Sequence, residues 1–177
     1  LKKKHKVLAT DISYEAINLS KKNIKGFKDY LIFNNNNYEK LLSFNRFDLI
    51  VCWETIHWLG DFDKMINLIN IFKKCLNRKG KIIITFPAED HYLINNHNQL
   101  FKTHTYKIKQ IERRDAIICA PKLINLKKIF KKNNLEILQI FKYSHGRMFF
   151  NKIKNDMKSS GIKKNSLFSM YAFLLGT

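Results

Sequence analysis

The sequence contains few cysteines and no long hydrophobic run. Its three cysteines, Cys52, Cys75 and Cys119, lie far apart and lack the Cys/His spacing that a zinc site needs. The longest apolar stretches have about five or six residues, whereas a membrane-spanning helix needs roughly 20. No basic segment followed by an apolar one opens the chain. These absences argue against a disulfide scaffold, a metal site and a membrane or secreted protein, and they predict a reducing, cytoplasmic location.

Acidic residues are scarce as well. Asp and Glu number 14 against 33 Lys and Arg, which gives a net charge of +19. Such a charge is typical of proteins that bind nucleic acid or acidic partners. Lys, Asn and Ile, however, make up 70 of the 177 residues, a composition that adenine- and thymine-rich codons produce. Because the lysines are also scattered along the chain rather than gathered in one segment, the charge by itself identifies no partner.

Short β-branched runs alternate with longer helical patterns along the chain. This alternation is typical of βαβ units, and it predicts an α/β fold with a doubly wound, mostly parallel sheet in a single domain, residues 1–177. The predicted strands comprise residues 7–10, 30–33, 47–52, 81–86, 135–141 and 168–175. The predicted helices comprise residues 14–23, 123–130 and 149–157, and a long helix that begins at Asp61 or Asp63 and ends before Gly80. The polar stretch at about 89–120 is predicted to be an insertion or a lid, because its periodicity is weak.

Several candidate binding residues directly follow the predicted strands. In open parallel α/β sheets, ligands bind at the carboxyl ends of the strands. Asp11 follows the first predicted strand, and a carboxylate at such a position can accept hydrogen bonds from both hydroxyls of a ribose. Capping of its own helix is an equally good interpretation of Asp11 from spacing alone. Cys52 and Trp53 stand at the end of the third predicted strand.

Three segments carry a resemblance to a known family. ATDIS (9–13), FDLIVCWETIHWLGD (47–61) and LNRKGKIIITF (76–86) resemble the corresponding segments of class I S-adenosylmethionine-dependent methyltransferases, in the family's order and at about its spacing. The resemblance covers about residues 5–141. It implies a Rossmann-like methyltransferase fold, S-adenosylmethionine as the cofactor and methyl transfer as the activity.

The resemblance also implies roles for residues near the cofactor. Asp11 would bind the ribose, and Ile12 would pack on the adenine. Asn37 and Tyr38 follow the second predicted strand, where the family commonly places an Asp beside the adenine amino group. Asn37 still offers a carbonyl acceptor there, but it carries no charge. Cys52 and Trp53 would border the methionine part and the methyl group.

On the substrate side, His57 and Trp58 stand in the segment after the third predicted strand, and Arg113, Arg114 and Arg147 are candidate cations for an acceptor pocket. His57 and Trp58 either face the substrate or pack under the following helix. Arg147 would hold an acceptor carboxylate, because a carboxylate pocket needs a cation or a donor, although a solvated surface charge is the alternative. No catalytic acid or base is predicted, because a carboxylate acceptor is already ionised near neutral pH. No metal ligand is predicted, because the spacing of the cysteines and histidines matches no metal site.

A glycine loop of the family is missing from this sequence. Class I methyltransferases open with a strand and a G-x-G-x-G loop, but none of the six glycines here stands one or two residues from another. The chain also begins with Leu1 instead of Met. We therefore expect an N-terminally truncated sequence that lacks the first strand and its loop. If these residues are the entire polypeptide, we expect it to bind the cofactor poorly.

The acceptor is predicted from the tail and from the segment after the third predicted strand. Phe149-Phe150 followed by DMKSSG (156–161) resembles the methyltransferases that esterify malonyl-acyl carrier protein in biotin synthesis, and an acidic carrier protein would suit the basic chain. Trans-aconitate methyltransferases, which methylate a small carboxylate, are a close alternative. Cys52-Trp53-Glu54-Thr55 contains no N/D-P-P-Y-type tetrapeptide, which argues against a nucleic-acid acceptor. A non-catalytic assembly factor of methyltransferase ancestry, or an inactive fragment, is the remaining hypothesis. The oligomeric state cannot be inferred.

Overall fold

The chain forms two compact units in a computed structural model, residues 1–44 and residues 45–177. The structure describes residues 6–24, 30–34, 38–44, 46–89, 105–109, 115–144 and 169–177. The candidate residues Asn37 and Arg147 and the predicted helix 149–157 lie outside these residues. None of the helices in the described ranges is long and apolar enough to span a membrane. The single methyltransferase domain and the cytoplasmic location stay predictions.

The first unit contains a strand, a helix and a parallel partner strand. Strand β1 (Val7–Asp11) pairs in parallel with β2 (Tyr30–Asn34), and helix α1 (Tyr14–Asn23) connects them. Ser13 caps α1, since its Oγ accepts a hydrogen bond from the Ala16 N–H at 3.2 Å. A short 3-10 helix (Tyr38–Ser43) follows β2. The bounds of α1 equal the prediction, because a capping serine and an apolar spacing are both readable in the sequence.

The second unit contains a four-stranded mixed sheet. Its strands, in sequence order, are β3 (Phe47–Cys52), β4 (Leu76–Pro87), β7 (Glu136–Ser144) and β8 (Ser169–Gly176). Their order in the sheet is β3-β4-β8-β7. β3 and β4 are parallel, whereas β8 is antiparallel to both of its neighbours. The α/β class is confirmed, and the last strand makes the sheet mixed.

Two helices of the second unit pack on one face of this sheet. They are α2 (Phe62–Cys75), capped by Asp61, and α3 (Leu123–Lys132). The rings of Phe86 on β4, Phe130 on α3 and Phe173 on β8 are fully buried, with centroids 5.0 to 6.2 Å apart. Such aromatic contacts bury large apolar areas and form the centre of the core. On the opposite face, Val51 and Phe141 remain about half exposed.

The predicted break at Gly80 is an irregularity inside strand β4. β4 begins at Leu76, and its pairing register with β3 shifts between Phe47 and Leu49. Lys79 has a positive φ of 71° at this point, which is a usual feature of bulges. Gly80 is needed because a Cβ there would lie 3.0 Å from the Phe47 carbonyl oxygen. Sequence reasoning began the strand at Lys81, five residues later than the structure does.

The segment predicted as an insertion or lid ends in the core. β5 (Thr105–Lys109) and β6 (Asp115–Cys119) form an antiparallel pair. Ile118 and Cys119 are fully buried, and the Cys119 sulfur lies 3.8 Å from that of Met65 on α2. β6 also passes so close to Gly60 that a Cβ there would meet the Ile117 carbonyl oxygen at 2.7 Å. The end of this segment thus contributes to the packing of the second unit, and the insertion or lid at about 89–120 stays a prediction.

Glu89, which follows β4, caps helix α3 from a distant point in the sequence. Its Oε1 accepts the Leu123 N–H at 2.8 Å, and its Oε2 accepts the Tyr171 hydroxyl at 2.8 Å. Lys122, at the cap position itself, makes no side-chain capping bond. Partial burial tends to raise the pKa of Glu89, but the hydrogen bonds from Leu123 and Tyr171 outweigh it and hold the pKa below its ordinary value of 4.5.

Replacement of Glu89 by alanine is expected to lower the free energy of unfolding by about 1 kcal/mol at neutral pH, the usual cost of losing a helix cap. Glu89→Gln should lose less, since its amide oxygen still accepts the Leu123 N–H. Because the folded pKa is depressed, the carboxylate stabilises the protein above its unfolded pKa, and this contribution disappears as the pH falls through the folded pKa. Urea unfolding at pH 7 and pH 3 measures both effects.

The matched control is Glu136→Ala, which removes an exposed glutamate at the start of β7. It should change stability by less than about 0.5 kcal/mol. A loss for Glu89→Ala that stays constant from pH 7 to pH 3 would contradict a role for the charged carboxylate.

Candidate functional site

The carboxyl ends of three strands lie along one edge of the four-stranded sheet. β3 and β4 are parallel and end at Cys52 and Pro87. β7 ends at the same edge, because β8 is antiparallel to both β4 and β7 and pairs Met170 with Pro87 on one side and with Tyr143 on the other. This edge is where ligands bind in open α/β sheets. It places the predicted residues Cys52 and Trp53 beside side chains from distant parts of the chain.

The turn after β3 is held in an uncommon backbone conformation. Glu54 has a φ of 51°, in the left-handed region that non-glycine residues rarely adopt. Its N–H donates a hydrogen bond of 2.6 Å to Oγ1 of Thr85, a fully buried residue of β4. The Thr55 hydroxyl donates to the Trp53 carbonyl oxygen at 2.8 Å. These bonds fix the direction in which the chain leaves the sheet.

Trp53 and Tyr143 form an aromatic wall at this edge. Their rings are stacked, with centroids 5.2 Å apart and an interplanar angle of 24°. The Tyr143 hydroxyl donates to Oε1 of Glu54 at 3.1 Å, so the residue next to Trp53 also holds its stacking partner. Trp53 nevertheless remains 47% exposed. An ordered, half-exposed indole at the end of a strand is suited to contact with a bound ligand.

The two weakly acidic side chains nearest to this wall are held in their protonated forms. Burial raises the pKa of the Cys52 thiol to about 12, although a backbone hydrogen bond involving Ile56 partly opposes the shift. Burial and the adjacent Glu54 carboxylate raise the pKa of the Tyr143 hydroxyl above its ordinary value. At neutral pH neither group is a nucleophile or a base. Cys52 is a small buried residue beside the wall.

His57 and Trp58 lie in a short 3-10 helix, Ile56–Leu59, that follows this turn. The imidazole of His57 is only 4% exposed and packs against the Trp58 ring at a centroid distance of 5.0 Å. Trp58 itself is partly exposed. The burial of His57 favours the packing interpretation for that residue, whereas Trp58 still presents surface to a substrate.

The candidate cofactor residues of the first unit lie at the end of β1. Asp11 accepts the Ser13 N–H through Oδ1 at 2.8 Å, and its carboxylate is exposed. Ser13 caps the helix, and Asp11 supports this turn through the Ser13 N–H, so its ribose-binding role stays a prediction. Ile12 is 66% exposed. Tyr38 begins the 3-10 helix after β2 and is partly buried.

Three residues of the edge were missed by sequence reasoning: Glu54, Thr85 and Tyr143. Glu54 stands directly after Trp53, but nothing in the sequence shows that its backbone is left-handed. Tyr143 is 89 residues away from Glu54 along the chain, and no motif links them. A buried threonine near the end of an otherwise apolar strand was the one local signal, because a buried hydroxyl needs a hydrogen-bond partner.

The methyltransferase domain family matches residues 2–140 of the chain. The chain belongs to this family. No curated protein matches the methyltransferase. Solved structures do resemble it. A SAM-dependent methyltransferase from Methanosarcina mazei has 12% sequence identity and a TM-score of 0.70, over 97% of this chain and 82% of the other.

Two further solved structures share the fold. An S-adenosylmethionine-dependent methyltransferase from Clostridium acetobutylicum has 14% identity and a TM-score of 0.64, over 96% of this chain and 74% of the other. The magnesium protoporphyrin IX methyltransferase of Synechocystis, with bound SAH, has 12% identity and a TM-score of 0.58, over 96% and 63%. These structures confirm the predicted fold, and membership of the methyltransferase domain family confirms the predicted enzyme class.

Proposed function

We propose that this methyltransferase transfers the methyl group of S-adenosylmethionine to a carboxylate, and that the carboxylate is a malonyl group on an acyl carrier protein. Family membership supports methyl transfer. The acceptor class rests on one observation, the aromatic wall of Trp53 and Tyr143 that offers no base to an acceptor. The resemblance of residues 149–161 to malonyl carrier protein methyltransferases supports the particular carboxylate.

The state of the titratable groups at the wall argues for an acceptor that is already ionised. An alcohol or a protonated amine must lose a proton before it becomes a good methyl acceptor. An enzyme supplies a general base for that step. Among the described residues of the edge, Cys52 and Tyr143 hold their protons, and the Glu54 carboxylate accepts the Tyr143 hydroxyl. A carboxylate acceptor is ionised at neutral pH and requires no such base.

The residues present fit the proposed cofactor. Asp11 offers an exposed carboxylate whose orientation is set by the Ser13 N–H, and one carboxylate can accept hydrogen bonds from both hydroxyls of a ribose. When bound, S-adenosylmethionine supplies an electrophilic methyl group for in-line displacement. For such a reaction the protein mainly holds the acceptor in line and excludes water. The exposed side of the Trp53 indole would do both.

The small-carboxylate hypothesis differs from this proposal only in the acceptor, since both need an aromatic wall and neither needs a base. The non-catalytic hypothesis differs in predicting no transfer at all. The ordered, half-exposed Trp53 favours a ligand-binding edge, because a purely structural tryptophan gains more stability from full burial.

The test is methyl transfer by the purified chain from labelled S-adenosylmethionine to malonyl carrier protein and, separately, to trans-aconitate. We expect a methyl ester on the carrier-bound malonyl group. Trp53→Ala should lower kcat/KM about 10- to 100-fold, because small misplacements of reacting groups cost that much, and Trp53→Phe should retain most activity. Ester formation on trans-aconitate alone would favour the small-carboxylate hypothesis. Binding of S-adenosylhomocysteine without transfer to either would favour the non-catalytic one.

A further inference from the structure

Helix α3 carries an unusually basic outer side. Its ten residues, Leu123–Lys132, include four lysines and no acidic residue. Leu126, Ile129 and Phe130 are buried in the core. The opposite side is formed by the exposed residues Ile124, Lys127, Lys128 and Lys131, and this set is named the basic face of α3.

An exposed isoleucine lies at the N-terminal end of this face. Ile124 is 58% exposed, and the three lysines stand three, four and seven positions after it. Residues at these spacings are neighbours on one side of a helix. The face therefore presents one apolar side chain with ammonium groups on the side toward the helix C-terminus. An apolar anchor with a charged, solvated rim is the common anatomy of a protein–protein interface.

Some lysines of this face repel each other, although the helix dipole favours Lys131 in the last turn. Lys127 and Lys131 are four positions apart, and Lys128 and Lys131 are three apart, so their charges repel each other. Glu136 lines the same surface depression as Lys127 and Lys131 and is the acidic residue beside them. A single carboxylate leaves the face strongly positive. A partner of negative charge would relieve the repulsion.

The basic face begins beside the candidate functional site. The N–H of Leu123, the first residue of α3, bonds to Glu89, which follows β4 at the edge where Trp53 also lies. From there the helix extends over about 15 Å, at 1.5 Å per residue. Lys127 and Lys131 lie toward the opposite edge of the sheet, because they line a depression with Glu136 at the start of β7 and Thr177 after β8. A macromolecule bound to these lysines would therefore lie about one helix length from the candidate site. That arrangement suits a substrate that is carried by a protein on a flexible arm.

The geometry points to the basic face of α3 as the docking surface for the acidic carrier protein. Carboxylates of the carrier would pair with Lys127, Lys128 and Lys131, and Ile124 would enter an apolar patch between them. The identity of the partner rests on the function proposed above. A nucleic-acid partner is disfavoured, since the face contains neither an arginine nor an aromatic side chain on which a base could stack.

The test compares charge reversals on two helices of the full chain. Lys128→Glu/Lys131→Glu should weaken binding of malonyl carrier protein at least tenfold at low salt, and Ile124→Asp should weaken it similarly. The matched control is Lys21→Glu/Lys22→Glu, which reverses two exposed lysines in the last turn of α1 and should leave the affinity within about twofold. Titration calorimetry measures the affinities, and circular dichroism verifies that each variant is folded.

A kinetic comparison separates docking from catalysis. The α3 variant should raise KM for malonyl carrier protein and leave KM for malonyl-pantetheine, which has the same thioester without the protein, unchanged. Three results would each overturn the docking surface. The wild-type chain could fail to bind the carrier, the α1 control could lose as much affinity as the α3 variant, or a duplex oligonucleotide could bind through the same lysines. Carrier binding that depends on α3 without methyl transfer would support the docking surface while the proposed function fails.

Discussion

Replacement of Asp11 by alanine is expected to weaken the binding of S-adenosylhomocysteine by about 10- to 100-fold, the loss that removal of a charged hydrogen-bond acceptor from two ligand hydroxyls produces. The carboxylate is exposed at the end of β1, and the Ser13 N–H already orients one of its oxygens. Asp11→Asn should have an intermediate effect, because its amide oxygen still accepts a hydrogen bond but carries no charge. Titration calorimetry gives the dissociation constants.

The control for this measurement is Glu15→Ala. Glu15 stands in the first turn of α1, accepts the Ser13 hydroxyl at 2.8 Å and carries the same charge close to Asp11 in sequence. Its replacement should leave the affinity nearly unchanged. Equal affinities for the wild type and Asp11→Ala would refute the ribose-binding role. A folded wild-type chain that binds no S-adenosylhomocysteine would favour the non-catalytic hypothesis.

Replacement of Phe173 by alanine is expected to lower the free energy of unfolding by about 3 to 5 kcal/mol, as for other phenylalanines removed from packed cores. Phe173 is fully buried on β8 and its ring contacts those of Phe86 and Phe130. The lost transfer free energy and the remaining cavity both contribute. This loss is a large part of the about 5 to 15 kcal/mol by which domains are usually stable.

Urea unfolding followed by tryptophan fluorescence measures this loss. Both tryptophans, Trp53 and Trp58, lie in the second unit, so the signal reports on the sheet that contains Phe173. Phe141→Ala is the control, because Phe141 is 51% exposed on β7. It pairs with Ala172, and both side chains lie on the face of the sheet opposite to Phe173. Its loss should be about 1 kcal/mol or less. Similar losses for the two variants would show that the three buried rings are not the centre of the core.

Local signals were sufficient to predict many elements of the fold. The bounds of β3 and α1 equal the predictions, and Asp61 caps α2 as one of the two residues proposed for that position. Capping side chains and apolar periodicity act within a few residues, and they can therefore be read from the chain. The pairing of β8 between β4 and β7 could not, because an apolar run does not indicate which strands it joins or in which direction.

In the candidate site, too, local signals could be read from the sequence and contacts between distant residues could not. The sequence alone indicated Asp11, Cys52 and Trp53, since each stands where a predicted strand ends. The hydrogen bonds that organise the edge join Glu54 to Thr85 and to Tyr143, over 31 and 89 residues. The packing of β6 could not be predicted for a related reason, because Ile117 and Cys119 lie against residues some 50 to 60 positions earlier.

The amino-acid sequence by itself determined the α/β class, the methyltransferase family and the candidate residues at the ends of the strands, because periodicity, caps and motifs are local properties of the chain. Only the tertiary structure decided that Tyr143 stacks on Trp53, that Glu54 bonds to Thr85, and that β8 pairs between β4 and β7. Each of these depends on which side chains approach one another in space, and the free energy of those contacts is set by packing between distant segments.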